Sequence, residues 1–399
     1  MGRRRSHIGY YNLKETKERI SKVQELLKER NLQAALIYYN AANIANEWYI
    51  TGWFPQFEDG ILLIPVTGEA MILGGAESEE FAHIDSAVKE TRNFSLFMQP
   101  GLEFFHSKMY DFHALLRELS EKGIQLKRIG VVGLNSMPSG LYKVFMEEFK
   151  ECKVENITTG FEKLRLVKSE WERACIKQAG RLAEEAYFEM LGVIKSGVYE
   201  YEVAAAGESV ARTRGASGFG FSTIIASGER INAIVPTASN VKRLKDKEMI
   251  IMGIAPQWNG YTGTVGDTVP VNGTYTDEQR SLMNHLREAF RLCRDALKPG
   301  RTVAQVDQPG MDYLRRKGYG EHLVCQFTHS TGLMECEGVY YLNPNSDTVL
   351  EPGMAVNLDV SLFGLPTYYG ARLEAGYFVT EKGVEPISEK FDELFTAEI

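Results

Sequence analysis

Apolar positions recur at helical spacing, with charges between them, through LKETKERISKVQELLKERN (13–31), which predicts an amphipathic surface helix. The unbroken apolar run QAALIYY (33–39) predicts a buried strand, and DGILLIPVTGEAMILGG (59–75) a hairpin of two strands. HSKMYDFHALLRELSEKG (106–123) reads as a helix and KRIGVVG (127–133) as another short strand. Alternating strands and helices over this half indicate a three-layer α/β domain. Between them, NEWYITGWFPQF (46–57) reads as an aromatic loop whose Trp53 and Phe57 are candidate ligand or interface residues.

The pattern changes in the second half. Ser169 followed by Glu172 forms a capping box, opening a long helix over 164–194, and VYEYEVAAAGESVARTRGA (198–216) predicts a second. Strands then dominate in FGFSTIIAS (219–227), EMIIMGI (248–254) and YTGTVGDTVPV (261–271), with Asn259-Gly260 closing a hairpin. Two more helices, 276–297 and 303–318, precede strands that run towards the end. Paired helices on a largely antiparallel sheet predict an α+β domain, with domains of 1–158 and 159–399.

Composition narrows the function classes. The 399 residues carry 45 basic and 53 acidic side chains, a net charge of −8 that argues against a nucleic-acid partner. No apolar run is long enough for a membrane span, and MGRRRSH lacks the apolar stretch of a secretory signal. Its match to a loose myristoylation pattern is short, and a solvated basic tail is the expectation. Five cysteines without a C-x-x-C pair point to a reducing cytoplasm, and Cys325 and Cys336 are expected to be small core residues.

Three charged residues interrupt strand-like sequence: His329 in FTHSTGL, Asp359 in PGMAVNLDVSLFG and Glu374 in YYGARLEAGYFVT. Charges on an inner sheet face are costly unless paired or bound to an ion, so three of them predict one polar pocket. Spacing of two places Arg372 on the face of Glu374, and Asn357 on that of Asp359. Tyr261, Thr264 and Arg372 are candidate substrate contacts. Asp267 joins them only if a bulge at Gly263 or Gly266 turns it inward.

The segments NGYTGTVGDTVPVNGTYTDEQRSLM (259–283), THSTGL (328–333), LEPGMAVNLDVS (350–361) and GARLEAGYFVTEKGVEPIS (370–388) resemble the pita-bread fold family of creatinase, prolidase, aminopeptidase P and methionine aminopeptidase. The resemblance spans almost the whole chain and implies an α/β N-terminal domain and an α+β pita-bread C-terminal domain. The family's peptidases hold two metal ions with two Asp, one His and two acidic residues. Their equivalents here are Gly253, Thr264, His329, Asp359 and Glu374, so both Asp ligands are missing.

The resemblance therefore implies a metal-free hydrolase cleaving an amide, amidine or guanidino C–N bond of a small polar compound. His329 would shuttle the proton, with Glu374 or Asp359 as base, nucleophile or substrate anchor. No cofactor is favoured. The alternatives are a metal-dependent Xaa-Pro peptidase or lyase holding one iron, manganese or zinc ion on His329, Asp359 and Glu374, and a non-catalytic binding relative. A homodimer is also implied, with Trp53 and Phe57 acting on the partner's pocket.

Overall fold

The computed structural model describes residues 12–98, 108–338 and 342–399, which form two units divided after Arg165. The basic tail and the first two residues of the expected 106–123 helix lie outside the described residues.

The first unit opens with α1 (Leu13–Glu29), β1 (Ala34–Tyr39), α2 (Ala45–Thr51), β2 (Gly60–Pro65), β3 (Met71–Gly74) and α3 (Ala76–Asp85). It continues with β4 (Glu90–Phe94), β5 (Met109–Tyr110), α4 (Phe112–Glu121), β6 (Arg128–Val132), α5 (Ser139–Glu148), β7 (Lys153–Asn156) and α6 (Thr158–Lys163). Its sheet runs β5-β4-β3-β2-β1-β6-β7 and is mixed, antiparallel within β1–β2–β3 and parallel elsewhere. Leu36, Tyr38, Leu63 and Val131 pack with Leu115 of α4 and Phe145 of α5 into one core, as apolar faces of sheet and helix must. The expected aromatic loop is partly helical: α2 spans 45–51, is buried throughout, and ends at Gly52 in the left-handed region.

The second unit contains α7 (Glu170–Val193), α8 (Glu200–Thr213), β8 (Gly218–Phe219), β9 (Ile224–Ser227), β10 (Met249–Ile254), β11 (Pro256–Trp258) and β12 (Tyr261–Thr262). Then come β13 (Val265–Pro270), α9 (Asp277–Ala296), α10 (Val303–Arg316), β14 (Thr328–Ser330), β15 (Ala355–Leu365), β16 (Tyr369–Thr380), β17 (Gly383–Pro386) and α11 (Glu389–Thr396). The main sheet runs β14-β15-β16-β13-β10-β9, antiparallel at every pairing, with β17 added to β16. A smaller sheet, β12-β11-β8, carries the Asn259-Gly260 turn, where both residues have positive φ as a two-residue hairpin requires.

Residues alternate between faces along each strand. Val356, Leu358, Val360, Leu373 and Tyr377 join Leu286 and Phe290 of α9 in the core. The residues between them, Asn357, Asp359, Ser361, Arg372 and Glu374, therefore share the other face. Among the described residues no helix is long and apolar enough to cross a membrane.

Candidate functional site

Sheet register brings the site together. His329 pairs with Asn357, Asp359 with Glu374, Ser361 with Arg372, and Glu374 with Gly266 of β13. Strand β14 is pinned from behind: the buried Asp307 of α10 accepts hydrogen bonds from the Phe327 amide at 2.9 Å and the Thr328 hydroxyl at 2.6 Å. With Thr328 facing that helix, His329 must face the site.

His329 Nε2 lies 3.6 Å from Glu374 Oε1 and 3.7 Å from Glu335 Oε1. Asn357 Nδ2 donates to the same two oxygens, at 3.2 and 2.9 Å. An imidazole and an amide thus face two carboxylates in a closed square. Burial alone would lower the His329 pKa, but the Glu335 charge, contact with Cys336 and the Glu374 hydrogen bond outweigh it and push the imidazole well up. Burial pushes Glu374 up, opposed by its bond to His329.

Asp359 belongs to a second group. Arg372 Nε donates to Asp359 Oδ1 at 3.0 Å and to Ser361 Oγ at 3.1 Å, and Ser361 Oγ donates to the same carboxylate. Burial raises the Asp359 pKa, and Arg372 opposes that. The expected donor set of His329, Asp359 and Glu374 is thus replaced. One ligand atom each of His329, Glu335 and Glu374 lie within 4.8 Å of one another, whereas Asp359 is engaged by Arg372. Arg372 is 4 % exposed, and its guanidinium Nε is engaged by Asp359 and Ser361.

Two other candidates face away. The Tyr261 hydroxyl donates to Glu172 of α7 at 2.7 Å, and the Asp267 carboxylate accepts from Tyr187 of α7 and from the Thr268 amide. Asp267 sits opposite Met252 in unbroken β10–β13 register, so no bulge turns it inward. Thr264 lies between β12 and β13, and its buried Oγ1 has no hydrogen-bond partner among the described residues. Gly253 pairs with Gly266, and a Cβ there would meet Ile224 at 3.3 Å. The Ile224 side chain thus crowds the position at which the resemblance expects an Asp.

Trp53 is buried in the first unit while Phe57 is 76 % exposed. Cys336, expected in the core, is exposed and touches His329; Cys325 is half-buried. Sequence reasoning missed Glu335. Its only signal was a pair of acids, 335 and 337, just after the His329 strand, in a turn with no periodicity to fix their directions.

The donor chemistry suits a single divalent ion: one imidazole and two carboxylates, with open positions. Gly253 and Thr264, where the resemblance expects the two Asp ligands of a two-ion centre, offer no carboxylate to bridge a second ion.

Comparisons with known proteins agree in architecture. Residues 19–167 match the profile of the creatinase/prolidase N-terminal domain, and residues 174–381 that of metallopeptidase family M24. An Xaa-Pro dipeptidase of Pyrococcus furiosus is 26% identical over 379 residues, covering 95% of this chain and 99% of the relative. An uncharacterized peptidase of Bacillus subtilis is 26% identical over 381 residues, covering 94% and 99%. The solved Xaa-Pro dipeptidase from Bacillus anthracis superposes with a TM-score of 0.77 at 26% identity, over 94% of this chain and 98% of that one. The prolidase from Pyrococcus horikoshii gives 0.79 at 24% identity over 93% and 98%, a likeness of fold.

Proposed function

Because the chain belongs to metallopeptidase family M24, we propose that it is a hydrolase of the Xaa-Pro peptidase type, cleaving the C–N bond of a short peptide with one divalent cation. The observation that carries this reading is the convergence of His329, Glu335 and Glu374 donors within 4.8 Å. A cation held there would supply Lewis-acid polarisation of the scissile carbonyl.

The chain's own residues do the rest. Asn357 holds Glu335 and Glu374 on the face of His329. The Arg372–Asp359–Ser361 clamp stiffens the neighbouring strands. The unpartnered Thr264 hydroxyl is available to a substrate carbonyl or amide. The resemblance to the creatinase and prolidase branch supports a homodimer, which light scattering would check.

The test is calorimetric titration of chelator-stripped protein with Mn2+. Saturation at one ion per chain is expected, abolished in His329→Ala and weakened but measurable in Glu335→Gln. Binding should tighten as pH rises, because the ion displaces the proton that the glutamates hold on His329. Hydrolysis of Xaa-Pro dipeptides should fall at least about a hundredfold in Glu374→Gln.

A second reading, a metal-free C–N hydrolase, rests on one observation. The Asn357 amide and a protonated His329 already satisfy both carboxylates. Turnover undiminished by chelation, with no Mn2+ bound, would establish it and sink the one-cation reading.

A further inference from the structure

Glu335 rides on a turn with no regular structure of its own, yet it meets His329 across a strand gap of a few ångströms. The turn is built around Glu337. The Glu337 amide donates to the Ser330 carbonyl at 2.9 Å, closing the turn on the His329 strand. Its carboxylate Oε1 accepts from the Leu333 amide at 2.9 Å and the Met334 amide at 3.2 Å. A Cβ at Gly332 would stand 2.7 Å from Glu337 Oε2, so glycine there lets the backbone wrap the carboxylate. The second oxygen, Oε2, meets Lys168 Nζ at 3.0 Å, with side chains only 1% and 3% exposed.

Lys168 immediately precedes the capping box of α7, and its own amide donates to the Gly353 carbonyl at 2.9 Å, beside the start of β15. Lys168 thus lies in the link between α6 and α7, tied by its backbone to the turn that leads into β15. Breaking a buried pair of this kind is strongly destabilising, which favours the closed arrangement of the turn. In that arrangement the Glu335 Cβ packs on Gly220, where an added Cβ would sit 2.9 Å from it.

We propose that Lys168 and Glu337 are positioning residues for the site: the buried pair fixes the 331–337 turn so that Glu335 stands against His329. The proposal rests on the one-cation reading for its effect on binding, not for its effect on the turn.

The test uses the full chain with Lys168→Met and Glu337→Leu combined, which removes the cap without burying a lone charge. Mn2+ affinity is measured by calorimetry on protein shown to be folded by circular dichroism, and NMR follows exchange of the Gly332 and Thr262 amides, which donate to the Met334 and Gly332 carbonyls at 2.9 and 2.8 Å, bonds of the turn that neither substitution removes. We expect affinity to fall about tenfold or more, as for groups that orient ligands, and exchange at both amides to quicken. In a Glu335→Gln background, the residual Mn2+ affinity should not fall further, because the pair acts through Glu335.

A merely structural pair would lower thermal stability and leave affinity unchanged. That result, or losses that add fully to those of Glu335→Gln, overturns the proposal. If the natural protein binds no Mn2+, the one-cation reading fails instead, and exchange alone judges the pair. Faster exchange then supports it and unchanged exchange overturns it.

Discussion

Asp267 is fully buried, its carboxylate bonded to Tyr187 and the Thr268 amide, and burial pushes its pKa from 3.8 to about 6. A carboxyl whose folded pKa is raised contributes stability that is complete below the unfolded value and lost as pH rises through the folded one. Acidification from about pH 8 to 4 should therefore favour the wild type over Asp267→Asn by up to about 3 kcal/mol. Urea unfolding of both proteins across that range checks it, and a constant difference would show that Asp267 does not titrate there. His329, Asp359 and Glu374 were legible as charges that an apolar strand does not tolerate without partners. Their partners were less so. Asp359 looked like a ligand until Arg372, two residues from Glu374, took its oxygen, and Glu335 was hidden in a turn where spacing carries no direction.

At the scale of elements, β12, β13 and the two residues between them divide their faces. Tyr261, Gly263 and Asp267 face α7, while Gly266 faces Glu374. Gly263 allows the closest approach: a Cβ there would lie 2.3 Å from the Gly180 amide nitrogen and 2.5 Å from the Ala179 carbonyl carbon. Both are backbone atoms of a helix, which cannot rotate aside. Gly263→Ala should therefore destabilise the protein by about 3 kcal/mol, at the upper end for overpacking. A thermal melt equal to that of the wild type would mean the strand can retreat from α7. The long helices and the Asn259-Gly260 hairpin were readable because each has a wet side or a turn that only certain residues make. Helix α2 was not. All of its residues are buried, so no polar stripe marks its period, and its N-cap Ile44 makes no side-chain cap.

For the whole molecule, the division after Arg165 separates two self-sufficient cores, one centred on Leu36, Phe112 and Val131, the other on Leu286, Leu358 and Leu373. The order of four motifs announced this architecture, because spacing between motifs survives substitutions that erase individual ligands. Substrate choice was not announced, since it depends on surfaces that no periodicity encodes. Every donor of the proposed cation site, and the Lys168–Glu337 pair that holds it, comes from the second unit. A fragment of 166–399 should then fold and bind one Mn2+ with the affinity of the full chain, as calorimetry would show. We propose that dipeptide turnover falls in the same fragment, because the resemblance to the creatinase and prolidase branch implies a homodimer in which each first unit, with its exposed Phe57, covers the partner's pocket. Cation binding and turnover would thus separate along the domain boundary. A folded fragment with weakened Mn2+ binding would instead make the first unit part of the site itself.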